Sequence, residues 1–330
     1  MYSILTILSL VGYALATGRT TAPSGAITVA KSGGDYDTIQ SAIDSLSTSS
    51  TTAQKVFIKS GTYKEQVVIP SRAAKLTIYG YTTDISDYSE NVVTITHSSS
   101  LLSGAADDDH TGTVRVQKGA TYVKIYNINI VNSYGKGSQA IALSAYGDYF
   151  GCYACQLKGY QDTLLAQNGY QVYGSCYIEG AIDFIFGQHA RAWIDSSDIR
   201  VSAGGGAITA NGRSSSSDTS YYVIHKSSVA KTTSGSVSSG TCYLGRPWTE
   251  YARVVVQKTV LSGIINSAGW EEWSTSTPNT DDVLFGEYGN TGDGASGTRA
   301  SFATTLSSAV SISSILGSSY SSWVDTDYLA

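Results

Sequence analysis

Three consecutive segments decide the fold: DYFGCYACQLKG (Asp148–Gly159), YQVYGSCYIEG (Tyr170–Gly180) and ARAWIDSSDIRV (Ala190–Val201). Each segment is rich in β-branched, aromatic and small residues, and turn-forming residues bound it. Apolar and polar positions alternate, as they do along a β-strand that has one buried face. The three segments therefore read as copies of one strand-containing unit.

The unit recurs with a nearly constant period. Leu157, Ile178 and Ile199 are each 21 residues apart, and Val229 and Leu261 continue the series after inserts of about ten residues. Such a period fits one turn of a coil in which every strand pairs with the strands one turn before and after it. Further copies cover Val56–Lys59, Lys75–Gly80, Tyr122–Asn132, Tyr221–Ala230 and Tyr251–Gly263.

This pattern predicts an all-β solenoid, namely a parallel β-helix. A sandwich or a propeller is the alternative, but a period of 21 is too short for a four-stranded blade and too regular for a Greek key. At the N-terminal end, Tyr36–Leu46 has the apolar spacing of a short amphipathic helix that caps the open end of the coil. The serine-rich tail Ser301–Ala330 is predicted to pack along the coil as loop and short helix.

Composition narrows the class of protein. The 330 residues include 42% hydrophobic residues, only 14% charged residues and a net charge of −5, without a cluster of Lys and Arg. That balance excludes the basic footprint of a nucleic-acid-binding protein and favours a secreted protein that faces carbohydrate. The apolar run Leu5–Ala16 is too short to span a bilayer and ends in a small-residue pattern. We predict a signal peptide over residues 1–16 and one catalytic domain over 17–330.

Four cysteines suit an oxidising compartment but are too few to form a disulfide framework. Cys155 and Cys176 are one period apart, so stacking brings them within disulfide distance or leaves two free thiols. Cys152 and Cys155 form C-x-x-C without a second pair at the spacing of metal ligands, so no metal site is predicted. The histidines likewise lack a spacing that supports a Ser/His/Asp hydrolase.

Polar residues recur at one phase of the repeat. Gln139, Gln161 and Asp183 are separated by 22 and 22 residues, so we expect them to stack in one row on the exterior. Asp162 adjoins Gln161, and neighbours on a strand point to opposite faces, so both reach the row only if the chain bends there. Two carboxylates and two amides would then share one face.

Several motifs resemble those of pectin methylesterases, in order and in spacing, from about Ile27 to Asn290. The motifs are Gly61-Thr-Tyr-Lys-Glu65, Gln139-Ala-Ile-Ala-Leu143, Gln161-Asp-Thr-Leu164, Asp183-Phe-Ile-Phe-Gly187, Leu244-Gly-Arg-Pro-Trp248, Gly269-Trp-Glu-Glu-Trp273 and Phe285-Gly-Glu-Tyr-Gly-Asn290. The resemblance implies a single-stranded right-handed parallel β-helix and a microbial, fungal-like secreted member of the family. It also implies hydrolysis of C6 methyl esters of polygalacturonan, which releases methanol and de-esterified pectin.

The resemblance assigns roles that suit ester hydrolysis, which needs a nucleophile, an acid and oxyanion donors. Asp183 would be the nucleophile that forms an acyl-enzyme intermediate. Asp162 would protonate methanol and later act as general base. Gln161 would stabilise the oxyanion and Gln139 would contact both oxyanion and substrate, while Arg246 would position Asp183, keep it ionised and contact substrate.

Trp248 would offer a flat face to a sugar ring of the substrate. Tyr149, Phe150, Tyr160 and Tyr170 are further candidates for lining a sugar groove. We expect no cofactor and no metal, and the run Asp107-Asp108-Asp109 reads as a solvated loop rather than a calcium site.

The chain departs from the family pattern at one disulfide, and two other functions compete with ester hydrolysis. Members often have a disulfide from the position of Cys176 to one about twenty residues on, where this chain has Ser196 or Ser197, so we expect that bridge to be absent or rerouted to Cys155 or Cys152. The alternatives are a pectin-depolymerising β-helix enzyme, whose Gly-His-Gly or acidic-ligand patterns are missing, and a non-catalytic carbohydrate-binding solenoid, which would be expected to lose Asp162 or Asp183. We expect a secreted monomer whose partner is methylated pectin (homogalacturonan), with neither nucleic acid nor membrane as a partner.

Overall fold

The computed structural model describes residues 17–330. The predicted signal peptide, residues 1–16, lies outside the described residues and stays a prediction. Within residues 17–330, no helix combines the length and apolar character that a membrane crossing would require.

Three parallel sheets form the walls of the coil, and the chain visits them in the order A, B, C within each turn. Sheet A consists of Ala26–Val29, Gln54–Ile58, Leu76–Gly80, Val123–Tyr126, Phe150–Tyr153, Asn168–Gly174, His189–Asp195, Tyr221–His225, Arg253–Gln257, Leu284–Tyr288 and Ala303–Thr305. Sheet B consists of Gly61–Lys64, Val93–His97, Asn129–Asn132, Gln156–Lys158, Tyr177–Gly180, Asp198–Ala203, Ser228–Ser236 and Val260–Leu261. Sheet C consists of Val67–Ile69, Val114–Val116, Leu143–Ala145, Leu164–Ala166, Ile185–Gly187, Ala207–Asn211 and Tyr243–Pro247.

The predicted period of 21 residues equals the offset between paired residues on successive turns of the coil. Leu157 pairs with Ile178, Ile178 with Ile199, Ile199 with Val229, and Val229 with Leu261. All five side chains are buried in the interior, where each apolar residue packs on its equivalent one turn away. The prediction of a parallel β-helix is confirmed.

Each of the three repeat segments quoted first, and each later copy, contains two strands rather than one, whereas Val56–Lys59 and Lys75–Gly80 contain one strand each. In Asp148–Gly159, a sheet A strand ends at Tyr153 and a sheet B strand begins at Gln156. Ala154 lies between them with φ of 47°, and Ser175 and Ser196 hold similar left-handed conformations one and two turns later. A single left-handed residue turns the chain sharply, which makes the corner between sheets A and B.

The N-terminal end of the coil is covered as predicted, by a helix α1 that spans Ile39–Ser45. It starts three residues later than the sequence pattern suggests because Thr38 is the N-cap, whose side chain accepts a hydrogen bond from the Ser41 N–H. The Glu65 carboxylate also accepts hydrogen bonds from the N–H groups of Ile39 and Gln40 at 3.0 and 2.9 Å. These bonds anchor the cap to the first turn of the coil.

The C-terminal tail packs against the outer face of sheet A. It contains the strand Ala303–Thr305, a short helix α2 over Ile312–Leu316, and two 3₁₀ turns. Trp323 and Tyr328 from the tail contact the aromatic residues of the sheet A strands, such as Tyr149 and Tyr153. The predicted packing is confirmed, and the added strand extends sheet A by one position.

All four cysteines are free and buried. Ser197 occupies the position one turn after Cys176, and its Oγ accepts a hydrogen bond from the Cys176 N–H at 3.0 Å. The disulfide found in many family members is therefore absent, as one of the two alternatives predicted, and it is not rerouted to Cys152 or Cys155. Cys155 and Cys176 are free thiols.

Candidate active site

The outer face of sheet C supports a cleft. Leu165 pairs with Phe186, Phe186 with Ala210, and Ala210 with Arg246, so these four residues form one column along the exterior. Their neighbours along each strand, such as Ile185, point into the core. Strand alternation thus places Arg246 outside, next to the small side chain of Ala210 that leaves room above it.

The two acidic residues lie where the chain enters sheet C. Asp162 and Asp183 come two residues before the strands Leu164–Ala166 and Ile185–Gly187, with φ of 64° and 49°. Aspartate tolerates this left-handed conformation better than most residues, although it still carries strain of the kind that clusters at functional sites. The bend that the sequence reading required is therefore present at both carboxylates.

The register of this row differs from the one predicted. Gln161 pairs with Ile182 rather than with Asp183, because the turns are offset by 21 residues and not by 22. The same offset places Asp162 level with Asp183. The prediction that Gln139, Gln161 and Asp183 stack in one register is therefore wrong. Gln161 and Asp183 lie one position out of register with each other.

The predicted residues nevertheless meet in one cleft of about 210 Å³. Its lining comprises Asp108, Gln139, Gln161, Asp162, Asp183, Phe186, Ala210, Arg246, Trp248 and Trp273. All six residues singled out from the sequence as catalytic or substrate-binding are on this list. Residues from a turn, from just before two strands and from the end of a third strand thus contribute side chains to the same cleft.

Arg246 binds Asp183 through two hydrogen bonds. Its Nε donates to Oδ1 at 2.9 Å and its Nη2 donates to Oδ2 at 2.6 Å. Such a bidentate pair fixes the carboxylate plane as well as its charge. The guanidinium also lies over the ring of Trp273, with Cζ 4.4 Å from the ring centroid, so Arg246 is held from two sides.

The two carboxyls have different surroundings. Asp162 is 7% exposed, and no hydrogen bond reaches its carboxyl from residues 17–330. Burial, followed by the negative charges of Asp183 and Asp108, raises the pKa of Asp162 well above its ordinary value. Burial also raises the pKa of Asp183, but the hydrogen bonds and the charge of Arg246 oppose that shift. The pair therefore favours a proton on Asp162 and a negative charge on Asp183.

Two amides and an indole complete the predicted set. The Ser138 hydroxyl donates to Gln139 Oε1 at 3.3 Å, which leaves the Nε2 donors of Gln139 free for the cleft. Trp248 is half-buried rather than part of the core. Its ring lies against the backbone at Gly212, where a Cβ would approach the ring to 2.7 Å. Asn279 Nδ2 donates to the Trp248 carbonyl at 3.0 Å and thereby holds this segment in place.

Sequence reasoning missed four residues of the cleft: Asp108, Phe186, Ala210 and Trp273. Phe186 and Trp273 lie within quoted motifs, and the strand alternation after Asp183 was a usable signal for an outward Phe186. The interpretation of residues 107–109 as a solvated loop is wrong for Asp108, which lines the cleft. It is also wrong for Asp109, which is half-buried and pairs with Arg115 at 3.1 Å.

The further tyrosine candidates do not lie in the cleft. Tyr149 and Tyr170 stack on each other on the outer face of sheet A, with ring centroids 5.6 Å apart. Phe150 is fully buried beside Tyr173, and Tyr160 is not part of the cleft lining. Along sheet A, Phe150 points into the core, whereas Tyr149 and Tyr170 lie on the outer face away from the site.

Other clusters offer less chemistry. A larger cavity of about 460 Å³ lies between sheet A and the C-terminal tail, but Asp195 is its only acidic side chain. Within residues 17–330, Asp107, Asp109 and His110 are the one group of three potential metal ligands. All three members are already engaged, because Asp107 bonds His110 at 2.7 Å and Asp109 pairs with Arg115.

The cleft is suited to acyl transfer. A positioned carboxylate can attack a carbonyl carbon, a protonated neighbour can supply a proton to the leaving group, and uncharged amide donors can stabilise an oxyanion. Aromatic faces at Phe186, Trp248 and Trp273 suit the flat side of a sugar ring.

Comparisons with known proteins agree with this geometry. A family model described as Pectinesterase matches residues 26–312. A pectinesterase from Aspergillus niger is 57% identical over 330 residues and 99% of each chain, and one from Aspergillus aculeatus is 59% identical over 318 residues and 96% of each chain. Among solved structures, pectin methylesterase from Aspergillus niger has a TM-score of 0.87 at 43% identity, covering 94% of this chain and 100% of that one. The carrot enzyme has a TM-score of 0.80 at 29% identity, covering 92% and 96%.

Proposed function

This chain belongs to the pectinesterase family, and on that premise we propose that Asp183 and Asp162 demethylate pectin through a covalent intermediate. The enzyme is a carboxylic ester hydrolase that acts on the C6 methyl esters of polygalacturonan. The observation that carries the assignment of roles is the bidentate pair between Arg246 and Asp183 beside an unpaired, buried Asp162.

In the first step, an Asp183 carboxylate oxygen attacks the C6 carbonyl carbon. The carbon–methoxy bond breaks, and the proton on Asp162 passes to the methoxy oxygen, so that methanol leaves. Arg246 keeps Asp183 charged and oriented, which lowers the cost of forming the attack geometry. Gln161 and Gln139 donate to the oxyanion of the tetrahedral intermediate, and the loss of one such donor typically costs about a hundredfold in rate.

In the second step, Asp162, now ionised, accepts a proton from water. The resulting hydroxide attacks the acyl carbon, the bond to Asp183 breaks, and galacturonate is released with Asp183 free again. Each cycle consumes one ester and one water and yields one acid and one methanol. Asp162 therefore acts first as acid and then as base, a change that its raised pKa assists.

The substrate and setting form part of the same proposal. Methylated homogalacturonan would lie along the aromatic faces of the cleft, with Trp248 stacked on a sugar ring. We infer that the enzyme acts outside the cell as a monomer, which the low charged fraction of 14% and the apolar N-terminal run support.

Methanol release from methylated pectin tests the proposal. We expect methanol without shortening of the polymer, whereas a depolymerase would create new reducing ends and a binding module would do neither. Asp183→Ala should lower turnover by at least about a thousandfold because the nucleophile is lost.

Glu179→Gln is the matched control, since Glu179 lies on the same turn of the coil but on sheet B, where its carboxylate accepts from Tyr177. It should retain near-normal turnover. Full activity of Asp183→Ala would overturn the assignment of the nucleophile.

A further inference from the structure

The loop 107–110 is anchored by two of its three carboxylates. Asp107 accepts hydrogen bonds from the backbone N–H of His110 at 3.0 Å and bonds its ring at 2.7 Å. Asp109 accepts from Arg115 Nε at 3.1 Å and from the Ser144 hydroxyl at 2.6 Å. These contacts fix the loop against sheet C, because Arg115 and Ser144 are paired positions on its outer column.

Asp108 differs from both neighbours. Its backbone carbonyl accepts from Thr111, but its side chain makes no capping bond in the 3₁₀ turn that it precedes. Its Oδ1 is buried and has no hydrogen-bond partner within residues 17–330, although the residue lines the same cleft as Asp162 and Asp183. A buried carboxylate oxygen without a donor is costly, so its retention points to a donor that arrives with a ligand.

A galacturonan substrate carries such donors. Each sugar ring presents hydroxyl groups beside the C6 ester, and carboxylates form short, strong hydrogen bonds with hydroxyls. We propose that Asp108 is a substrate-binding residue whose carboxylate accepts a hydrogen bond from a sugar hydroxyl when the methyl ester lies at Asp183. This inference rests on the proposed function, because it takes the occupant of the cleft to be a galacturonan chain.

The electrostatics of the cleft agree with this role. Asp108 and Asp162 line the same cleft, and the charge of Asp108 contributes to the raised pKa of Asp162. The pKa of Asp108 is itself raised, first by burial and then by Asp107. A hydroxyl donor would relieve the desolvation of Asp108 without adding a charge next to Asp162.

Binding measured without turnover tests the proposal directly. In the inert Asp183→Ala background, calorimetry with a methyl-esterified galacturonate hexamer should show about tenfold weaker binding when Asp108→Ala is added. Asp108→Asn keeps an acceptor oxygen and should restore most of the affinity. Asp107→Asn, on the same loop but outside the cleft, should bind within about twofold of the Asp183→Ala parent.

The active enzyme provides a second readout. We expect Asp108→Ala to raise KM about tenfold while kcat stays within about threefold, with rescue of KM by Asp108→Asn. Unchanged hexamer affinity and unchanged KM in Asp108→Ala would overturn the proposal, even if the alkaline limb of the pH profile moved. Absence of methanol release by the wild-type enzyme would instead refute the proposed function, so the two failures are distinguishable.

Discussion

Asp162 and Asp183 are level with each other on adjacent turns, and their different neighbours decide which carboxyl keeps a proton. Asp183 has the guanidinium of Arg246, whereas Asp162 has burial and two negative neighbours. In the proposed mechanism, this difference makes one aspartate the nucleophile and the other the acid, and it also predicts how activity depends on pH. Turnover should fall at low pH as Asp183 gains a proton and at high pH as Asp162 loses one.

The raised pKa of Asp162 has a consequence for stability. A carboxyl whose folded-state pKa lies above its unfolded value stabilises the fold fully below the unfolded pKa, and that contribution is lost as the pH rises through the folded pKa. We therefore expect Asp162→Asn, which cannot ionise, to be more stable than the wild type at neutral pH. The advantage should shrink as the pH falls toward the ordinary range of aspartate.

Urea denaturation across this pH range measures the effect, with Glu179→Gln as the control outside the cleft. The same variant should lose turnover by a hundredfold or more, because an amide cannot supply the proton. A pH-independent stability difference between Asp162→Asn and the wild type would contradict the explanation.

At the scale of elements, the corner between sheets A and B is held by a ladder of small polar residues. The Cys176 N–H donates to Ser197 Oγ at 3.0 Å, and the Ser197 N–H donates to Ser227 Oγ at 3.1 Å. The Ser227 N–H donates in turn to Thr259 Oγ1 at 3.3 Å. Each of these residues follows a left-handed residue, so the ladder satisfies backbone donors that the turn removes from the sheets.

Ser197→Ala tests this ladder. Removal of Oγ leaves the buried Cys176 N–H without its acceptor and deletes the bond from Ser197 Oγ to the Asp195 carbonyl at 2.8 Å. We expect a loss of about 2 kcal/mol in the free energy of unfolding. Ser262→Ala is the matched control, because Ser262 Oγ is buried and has no hydrogen-bond partner among residues 17–330. It should change stability by less than about 0.5 kcal/mol.

At the scale of the whole molecule, the contacts that hold the C-terminal tail and the candidate active site lie on different faces of the coil. The cleft lies on sheet C, whereas the C-terminal tail covers the aromatic outer face of sheet A. Trp323 is 4% exposed and packs edge-on against Tyr149 with ring centroids 5.5 Å apart. The Asp325 carboxylate accepts from the Tyr126 hydroxyl at 2.9 Å, which fastens the tail next to it.

Trp323→Ala should destabilise the protein by about 3 kcal/mol, since a large buried ring is lost from the contact between tail and sheet. Turnover per folded molecule should stay the same, because the affected face is not the one that holds Asp183. Thermal unfolding and methanol release measure the two quantities, with the exposed Ser321→Ala as control. A drop in turnover at temperatures where the variant is fully folded would show that the tail influences the cleft.

The sequence by itself determined the coil, its period and the identity of six cleft residues. Burial of equivalent apolar residues on successive turns requires a fixed spacing. The stacking of Leu157, Ile178 and Ile199 could therefore be predicted from the sequence. Two features could not be predicted from the sequence. One is the short strands of sheet C, and the other is the offset of 21 residues between Gln161 and Ile182, where the row of polar residues predicted 22. Three-residue strands show too little alternation, and a pattern of polar residues does not reveal where a left-handed residue shifts the register.

Only the tertiary structure decided which carboxylates line the cleft. Asp107, Asp108 and Asp109 are the same residue type in one run, yet Asp107 bonds within the loop and Asp109 bonds to sheet C, whereas Asp108 lines the cleft. Likewise, Trp273 lies far along the chain from Asp183 and reaches the site through Arg246. The physical reason is that backbone periodicity fixes which residues stack, whereas the direction of a side chain in a turn depends on partners that the rest of the coil supplies.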